Sequence, residues 1–166
     1  MLEAIKCRQS IRKYQNTPVE PEKINTILEA AMNAPSARNT QEWKFIVITN
    51  RQALDDLCTL SPYTTMMKEA PCAILVLADL DKAINVEYGL VNCSAAIENM
   101  IIEATHIGLG TCWCGIAPVS ERIENFKKYY HLADNEYPVG VVAVGYSNEK
   151  RPLINTYDVS KVRYIK

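Results

Sequence analysis

Histidine is scarce in this chain: His106 and His131 are the two among 166 residues. With so few, no spacing assembles a four-ligand zinc site, and little room is left for a hydrolytic triad. No G-x-S-x-G, H-E-x-x-H or P-loop segment occurs either. Charge of one sign is also missing. The net charge is −1, and Lys, Arg, Asp and Glu are interspersed without a block of like charge. An affinity of the whole domain for nucleic acid or an anionic membrane is therefore not expected, although such an average leaves room for a local cationic pocket. The longest apolar runs, Cys72 to Ala78 and Val139 to Val144, fall far short of the ~20 residues that span a bilayer. Residues 1–6 have neither a basic n-region nor an apolar h-region. No signal peptide is expected, and the protein is placed in the cytoplasm.

In that compartment the six cysteines (7, 58, 72, 93, 112 and 114) are expected to be reduced. Cys72 and Cys93 lie inside apolar patterns and read as small buried hydrophobes. Cys112-Trp113-Cys114 is C-x-C, not the C-x-x-C of redox and zinc motifs. No metal site is expected.

What remains is an ordinary globular composition, 48% hydrophobic and 22% charged, in a length that suits one domain over residues 1–166. Ala4 to Cys7 starts a short helix. Pro21 suits the first turn of the next, in which Ile24, Ile27, Leu28 and Ala31 recur at helical spacing, and Pro35 stops it. Lys44 to Thr49 is β-branched and reads as a strand, with Asn50 capping a helix from about Arg51 to Leu60. A short helix is expected within Pro62 to Glu69. Cys72 to Asp79 is apolar on both faces, as in the middle of a covered sheet. Glu87 to Ile107 is the longest helix, apolar over most of its circumference and hence buried on several sides. Pro118 and Ser120 open another helix to about Tyr130, and Val139 to Tyr146 is a third strand. The class is α+β or mixed α/β. A doubly wound Rossmann sheet is disfavoured because no G-x-G-x-x-G follows a strand.

Three segments carry candidate chemistry. Arg8, Ser10 and Arg12 come at i, i+2, i+4, so in extended backbone all three face one side and could meet one anion; solvated surface arginines would give the same spacing. Pro35-Ser36-Ala37-Arg38-Asn39-Thr40-Gln41 lies between a helix and a strand and could be an ordinary loop. Gly108 to Gly115 reads as a glycine-bracketed turn whose N–H groups could approach a flat ligand, or as a helix C-cap followed by a buried Trp113.

Together these segments resemble the nitroreductase family of FMN-dependent oxidoreductases, and the likeness runs over nearly the whole chain. Arg8-Gln9-Ser10-Ile11-Arg12 matches the family's R-x-S-x-R, residues 35–43 match P-S-x-x-N-x-Q-P-W, and residues 108–115 match G-L-G-x-x-W-x-G. The resemblance implies a three-layer α/β/α sandwich with a mostly antiparallel sheet and a long buried central helix. It implies a homodimer with two FMN sites at the interface, residues 148–166 forming an arm on the partner. Arg8 and Ser10 would hold the phosphate, and Arg12 the phosphate or the N1–C2=O2 edge. Pro35, Ser36, Ala37 and Asn39 would close the site from the other subunit, and an N–H near Cys114 or Gly115 would reach flavin N5. Tyr63, in Ser61-Pro62-Tyr63-Thr64, could stack or hydrogen-bond beside the ligand, or be a buried tyrosine with a satisfied hydroxyl. The implied reaction passes hydride from NAD(P)H through FMN to a flat acceptor such as a nitroaromatic or quinone, with no catalytic side chain. The alternative is a degenerate flavin-binding or carrier protein. Two departures motivate it: Glu42 stands where the family has Pro, and Thr156 where its tail often has Arg; Asn92 and Ser147 also stand where it often has Asp and Pro. Glu42 removes one rigidifying constraint, and Lys161, Arg163, Lys150 or Arg151 would have to replace the tail cation.

Overall fold

The computed structural model describes every residue except Arg151, Ile154 and Asn155. Its elements are α1 (Glu3–Cys7), α2 (Pro21–Met32), β1 (Trp43–Ile48), α3 (Arg51–Leu60), β2 (Cys72–Asp79), α4 (Val86–His106), β3 (Gly110–Gly115), α5 (Ser120–Tyr130) and β4 (Glu136–Gly145). Single 3-10 turns occupy Ala37–Asn39, Thr65–Lys68 and Val159–Lys161. The short helix expected before β2 is thus the 3-10 turn at Thr65–Lys68. Helix starts obey local chemistry. Pro21 fills the first position of α2, the Asn50 side chain accepts from Ala53 N at 3.0 Å, and that of Asn85 accepts from Tyr88 N at 2.9 Å.

The four strands form one sheet in the order β1-β2-β4-β3, with every ladder antiparallel. The continuous apolar run of β2 is sorted by the two-residue period of a strand. Cys72, Ile74, Val76 and Ala78 face one cluster with Ile27 and Ala31 of α2 and Ile97 and Met100 of α4. Ala73, Leu75 and Leu77 face the other, with Leu54 and Leu57 of α3, Met67, and Phe126 of α5. Helices therefore cover both faces: the α+β, three-layer arrangement with a long central helix that the resemblance implied. Among the described residues no helix is long and apolar enough to cross a membrane.

The sheet departs from the sequence reading at Gly108–Gly115. Only Gly108 is a turn residue, with φ +84° at the end of α4. Gly110–Gly115 is a strand, because it finds a long-range partner in β4 that composition does not announce. One face of α4 stays uncovered: Tyr88 and Val91 are exposed, Val91 at 64%. By contrast Ile97 is fully buried between α2 and the sheet. Ile97→Ala is expected to lower unfolding free energy by about 2–5 kcal/mol, read from urea denaturation; a loss below about 1 kcal/mol would contradict the packing described.

Candidate functional site

The site begins with how residues 8–14 are fastened to the open edge of the sheet. Ser10 forms a parallel bridge to Thr111, and Ile11 N donates to Thr111 O at 2.8 Å. Ile11 is buried directly over Gly110, where a Cβ would lie 2.9 Å from its Cγ1. Tyr14, also buried, donates its hydroxyl to Ile11 O at 2.7 Å, and its N–H to Glu69 Oε2 at 3.2 Å. With Ile11 turned inward, the extended chain turns Arg8, Ser10 and Arg12 the other way. Among the described residues, the Arg8 guanidinium and the Ser10 hydroxyl have no hydrogen-bond or ion-pair partner.

Three cavities follow this edge. One of about 300 Å³ is lined by Arg8, Ser10, Thr111, Trp113 and Gly115, with Glu98 and Ile101 of α4. A second, of about 490 Å³, is lined by Lys6, Arg8, Ser10, Arg12 and Thr156 among others. A third, of about 360 Å³, shares Trp113 and Gly115 and adds Arg12, Tyr63, Met66, Cys114 and Arg122. Lys6 and Arg122 were not found by sequence reasoning. The signal for Lys6 is its place two residues before Arg8; Arg122 has no local signal. The Thr156 position, where the family often has Arg, does border the Arg8–Ser10 cavity.

The strand itself sorts the backbone donors. Thr111 O accepts from Ile11 N and Gly115 O from Arg122 Nη1 at 3.1 Å, whereas Ile116 N donates inward to Val139 O. In an antiparallel ladder alternate residues point their peptide groups to opposite sides. Residues 111, 113 and 115 therefore present theirs at the open edge, and the Cys114 N–H points toward β4. Of the two donors the sequence left open, Gly115 is the one turned outward. The Cys114 thiol faces the other way and donates to Tyr63 O at 3.1 Å. Its hydrogen bond with Cys112, and then its burial, push its pKa well above the ordinary thiol value, so it stays protonated and is no nucleophile. Tyr63 is 60% exposed, which removes the buried-tyrosine alternative. Its ring lies under Arg122, 4.6 Å from the guanidinium carbon.

The Pro35–Asn39 loop sits elsewhere. Three non-glycine residues in it, Arg38, Asn39 and Gln41, have φ of 54°, 56° and 47°, a conformation that surrounding contacts must hold. Ser36 Oγ accepts from Gln41 N at 3.0 Å, and Asn92 Oδ1 accepts from Ala37 N at 3.2 Å. Glu42, fully buried, accepts from Asn92 Nδ2 at 2.8 Å and from Thr40 Oγ1 at 2.7 Å. The ring constraint lost at Glu42 is offset by a side-chain network around its carboxylate, to which Asn92 donates where a second carboxylate would repel. Within one chain this loop packs near Asn92 of α4, whereas Arg8 and Ser10 share a cavity with Glu98 and Ile101, and none of residues 35–39 lines it. Those α4 residues lie six and nine positions beyond Asn92, roughly 9 and 14 Å along the axis. Pro35, Ser36, Ala37 and Asn39 are thus not brought to the Arg8 cluster by their own chain. In the tail, Lys161 pairs with Asp158 at 3.9 Å, Arg163 is exposed, and Lys150 lines a separate cavity with Gly108 and Glu149. Arg151 lies outside the described residues.

The groups present suit a phosphate-bearing planar cofactor such as FMN. Arg8, Ser10 and Lys6 supply anion donors and Gly115 an outward N–H; the first and second cavities share Arg8 and Ser10, and the first and third share Trp113 and Gly115.

Comparison with known proteins gives the family and the fold. The model of the nitroreductase family matches residues 5–61 and 59–146. A Methanothermobacter thermautotrophicus protein, provisionally named NADH dehydrogenase/NAD(P)H nitroreductase, is 36% identical over 162 residues, spanning 98% of this chain and 85% of its own. A provisionally named NADH oxidase from Clostridium acetobutylicum superposes with a TM-score of 0.94 at 40% identity, covering 98% of this chain and 99% of that one. An FMN-dependent nitroreductase from Clostridium difficile superposes with a TM-score of 0.92 at 28% identity, covering 100% and 99%.

Asn92→Ala would strip a fully buried carboxylate of its amide donor. It is expected to destabilise the protein by about 3 kcal/mol, measured by denaturant unfolding; a change within 0.5 kcal/mol, about the noise of a surface substitution, would show that the Glu42 network does not hold the loop.

Proposed function

The chain belongs to the nitroreductase family, and from that premise we propose that it is a homodimeric FMN-dependent oxidoreductase. FMN supplies the redox chemistry, taking hydride from NAD(P)H and returning it to a flat acceptor such as a nitroaromatic or quinone. The chain's residues bind, orient and exclude. Arg8, Ser10 and Lys6 hold the phosphate, with Arg12 beside them. The outward Gly115 N–H donates toward flavin N5, on the strand that also carries Cys114. Trp113 and Tyr63 flank the edge with apolar surface. The observation that carries this reading is the pair of donors, the Arg8 guanidinium and the Ser10 hydroxyl, without partners among the described residues, on a segment fastened to the edge that ends in Gly115. No thiolate or histidine is needed, because the cofactor carries the electrons and the protein supplies position and electrostatics.

In this reading the second half of the site comes from the partner. Pro35, Ser36, Ala37 and Asn39 of one chain close over the Arg8 cluster of the other. The exposed apolar face of α4, with Tyr88 and Val91, and the exposed tail with Val162, Tyr164 and Ile165 are the surfaces that association would cover. Residues 148–166 form the arm that packs on the partner, where Lys161 or Arg163 of the second chain can reach the phosphate. Dependence on NAD(P)H places the reaction in the cytoplasm.

Thr156 in the phosphate cavity favours one second reading, a degenerate member that binds flavin weakly and reduces nothing. The absorbance spectrum separates the two. Protein incubated with FMN and desalted should keep bands near 370 and 450 nm, the usual signature of oxidised flavin, and should oxidise NADH or NADPH with menadione. Arg8→Ala should weaken FMN affinity roughly ten- to a hundredfold. Undiminished flavin retention in that variant would refute the phosphate assignment, and a colourless wild type would favour the second reading.

A further inference from the structure

Arg122 is a cation that neither the phosphate cradle nor the fold explains. It lies in the first turn of α5, where a helix dipole disfavours positive charge. Two contacts hold it: Nη1 donates to Gly115 O at 3.1 Å, and the guanidinium lies over the Tyr63 ring, 4.6 Å from its centre. Gly115 ends the open edge, and Tyr63 is largely exposed. The contacts therefore fix where the guanidinium points without burying it. Its other N–H groups have no partner among the described residues. They border the cavity of about 360 Å³ that Arg12 also lines, and no Asp or Glu lines it. Glu149 accepts from the Arg12 backbone N at 2.6 Å but is not part of that lining.

A planar fork clamped by a carbonyl and an aromatic face has little freedom left to lose on binding. A clamped guanidinium, no acid, and walls of Tyr63, Met66 and Trp113 suit a flat molecule with an anionic end. We propose that Arg122 forms an anion-selective subsite beside Gly115, and that the acceptor reduced by this protein is a planar molecule carrying a carboxylate. The inference rests on the reductase reading above and narrows its acceptor class. A phosphate of the nicotinamide donor would satisfy the same guanidinium, so the test separates the two half-reactions.

The probes are 4-nitrobenzoate and 4-nitrobenzamide, which share a ring and a nitro group and differ in charge. Flavin-loaded protein is reduced, and its reoxidation by each probe is followed at 450 nm, the oxidised-flavin band. The wild type should prefer the benzoate. Arg122→Met should lower that preference roughly ten- to a hundredfold, the worth of one charged hydrogen bond, and Arg122→Lys should restore part of it. An equal loss on both probes, or none, would overturn the subsite. So would a loss confined to reduction by NADH or NADPH, which would assign Arg122 to the donor. Calorimetric titration of benzoate and benzamide, with and without flavin, is the second readout. A protein that holds no flavin but binds benzoate selectively through Arg122 would sink the reductase reading and keep the anion subsite. Failure to distinguish benzoate from benzamide would overturn the subsite while leaving the reductase reading standing.

Discussion

The hydrogen bond from Ile11 N to Thr111 O, with Ile11 seated over Gly110, decides what the open edge of the sheet can do. An unpaired strand edge ordinarily invites another strand. Here the edge is half occupied: residues 10–11 cover its start, and at its end Arg122 takes the Gly115 carbonyl while the Gly115 N–H faces outward. The same contact fixes the parity of the N-terminal segment, turning Ile11 inward and Arg8, Ser10 and Arg12 outward. Gly140 belongs to the same constraint. A Cβ there would lie 2.5 Å from Trp113 Nε1, so the glycine lets the indole lie against β4 while part of it, 38%, remains exposed at the edge. Anion donors, an outward peptide N–H and an aromatic wall are thus assembled by packing on one strand.

The opposite end of α4 carries the other half of the family's motif. Buried Glu42, Asn92 and the Ala37 N–H hold three left-handed residues in a short loop, and such strain persists only where the surroundings enforce it. A buried carboxylate with two neutral donors is a costly way to fasten a loop whose shape is immaterial. The two halves are separated along α4 within one chain, and exposed apolar residues on α4 and the tail, Val91 and Tyr164 among them, have no cover within it. A two-chain site makes physical sense of both facts.

Much of the fold was legible in the sequence, for local reasons. The apolar runs of β2 and β4 and the Pro21 and Asn50 helix starts depend on residues close together in the chain. β3 was not legible because Gly110-Thr111-Cys112-Trp113-Cys114-Gly115 has glycine at both ends and becomes a strand only through its register with β4. The Glu42 network was not legible for a related reason: its partner Asn92 is far along the chain, and a missing proline shows locally while a gained hydrogen bond does not. The shared face of Arg8, Ser10 and Arg12 was legible from their alternation. Arg122 was not, because only the fold brings the start of α5 to Gly115 and Tyr63. The choice between Cys114 and Gly115 likewise required the ladder.

A mixed dimer tests the two-chain site most directly. One chain carries Arg8→Ala, the other carries Ala at Asn39, and each alone should retain little FMN. Co-expressed under two affinity tags, the mixed dimer should have one site with both lesions and one with neither, and so regain about one flavin per dimer with its absorbance near 450 nm. No recovery of flavin in the purified mixed dimer would contradict a site built from both chains.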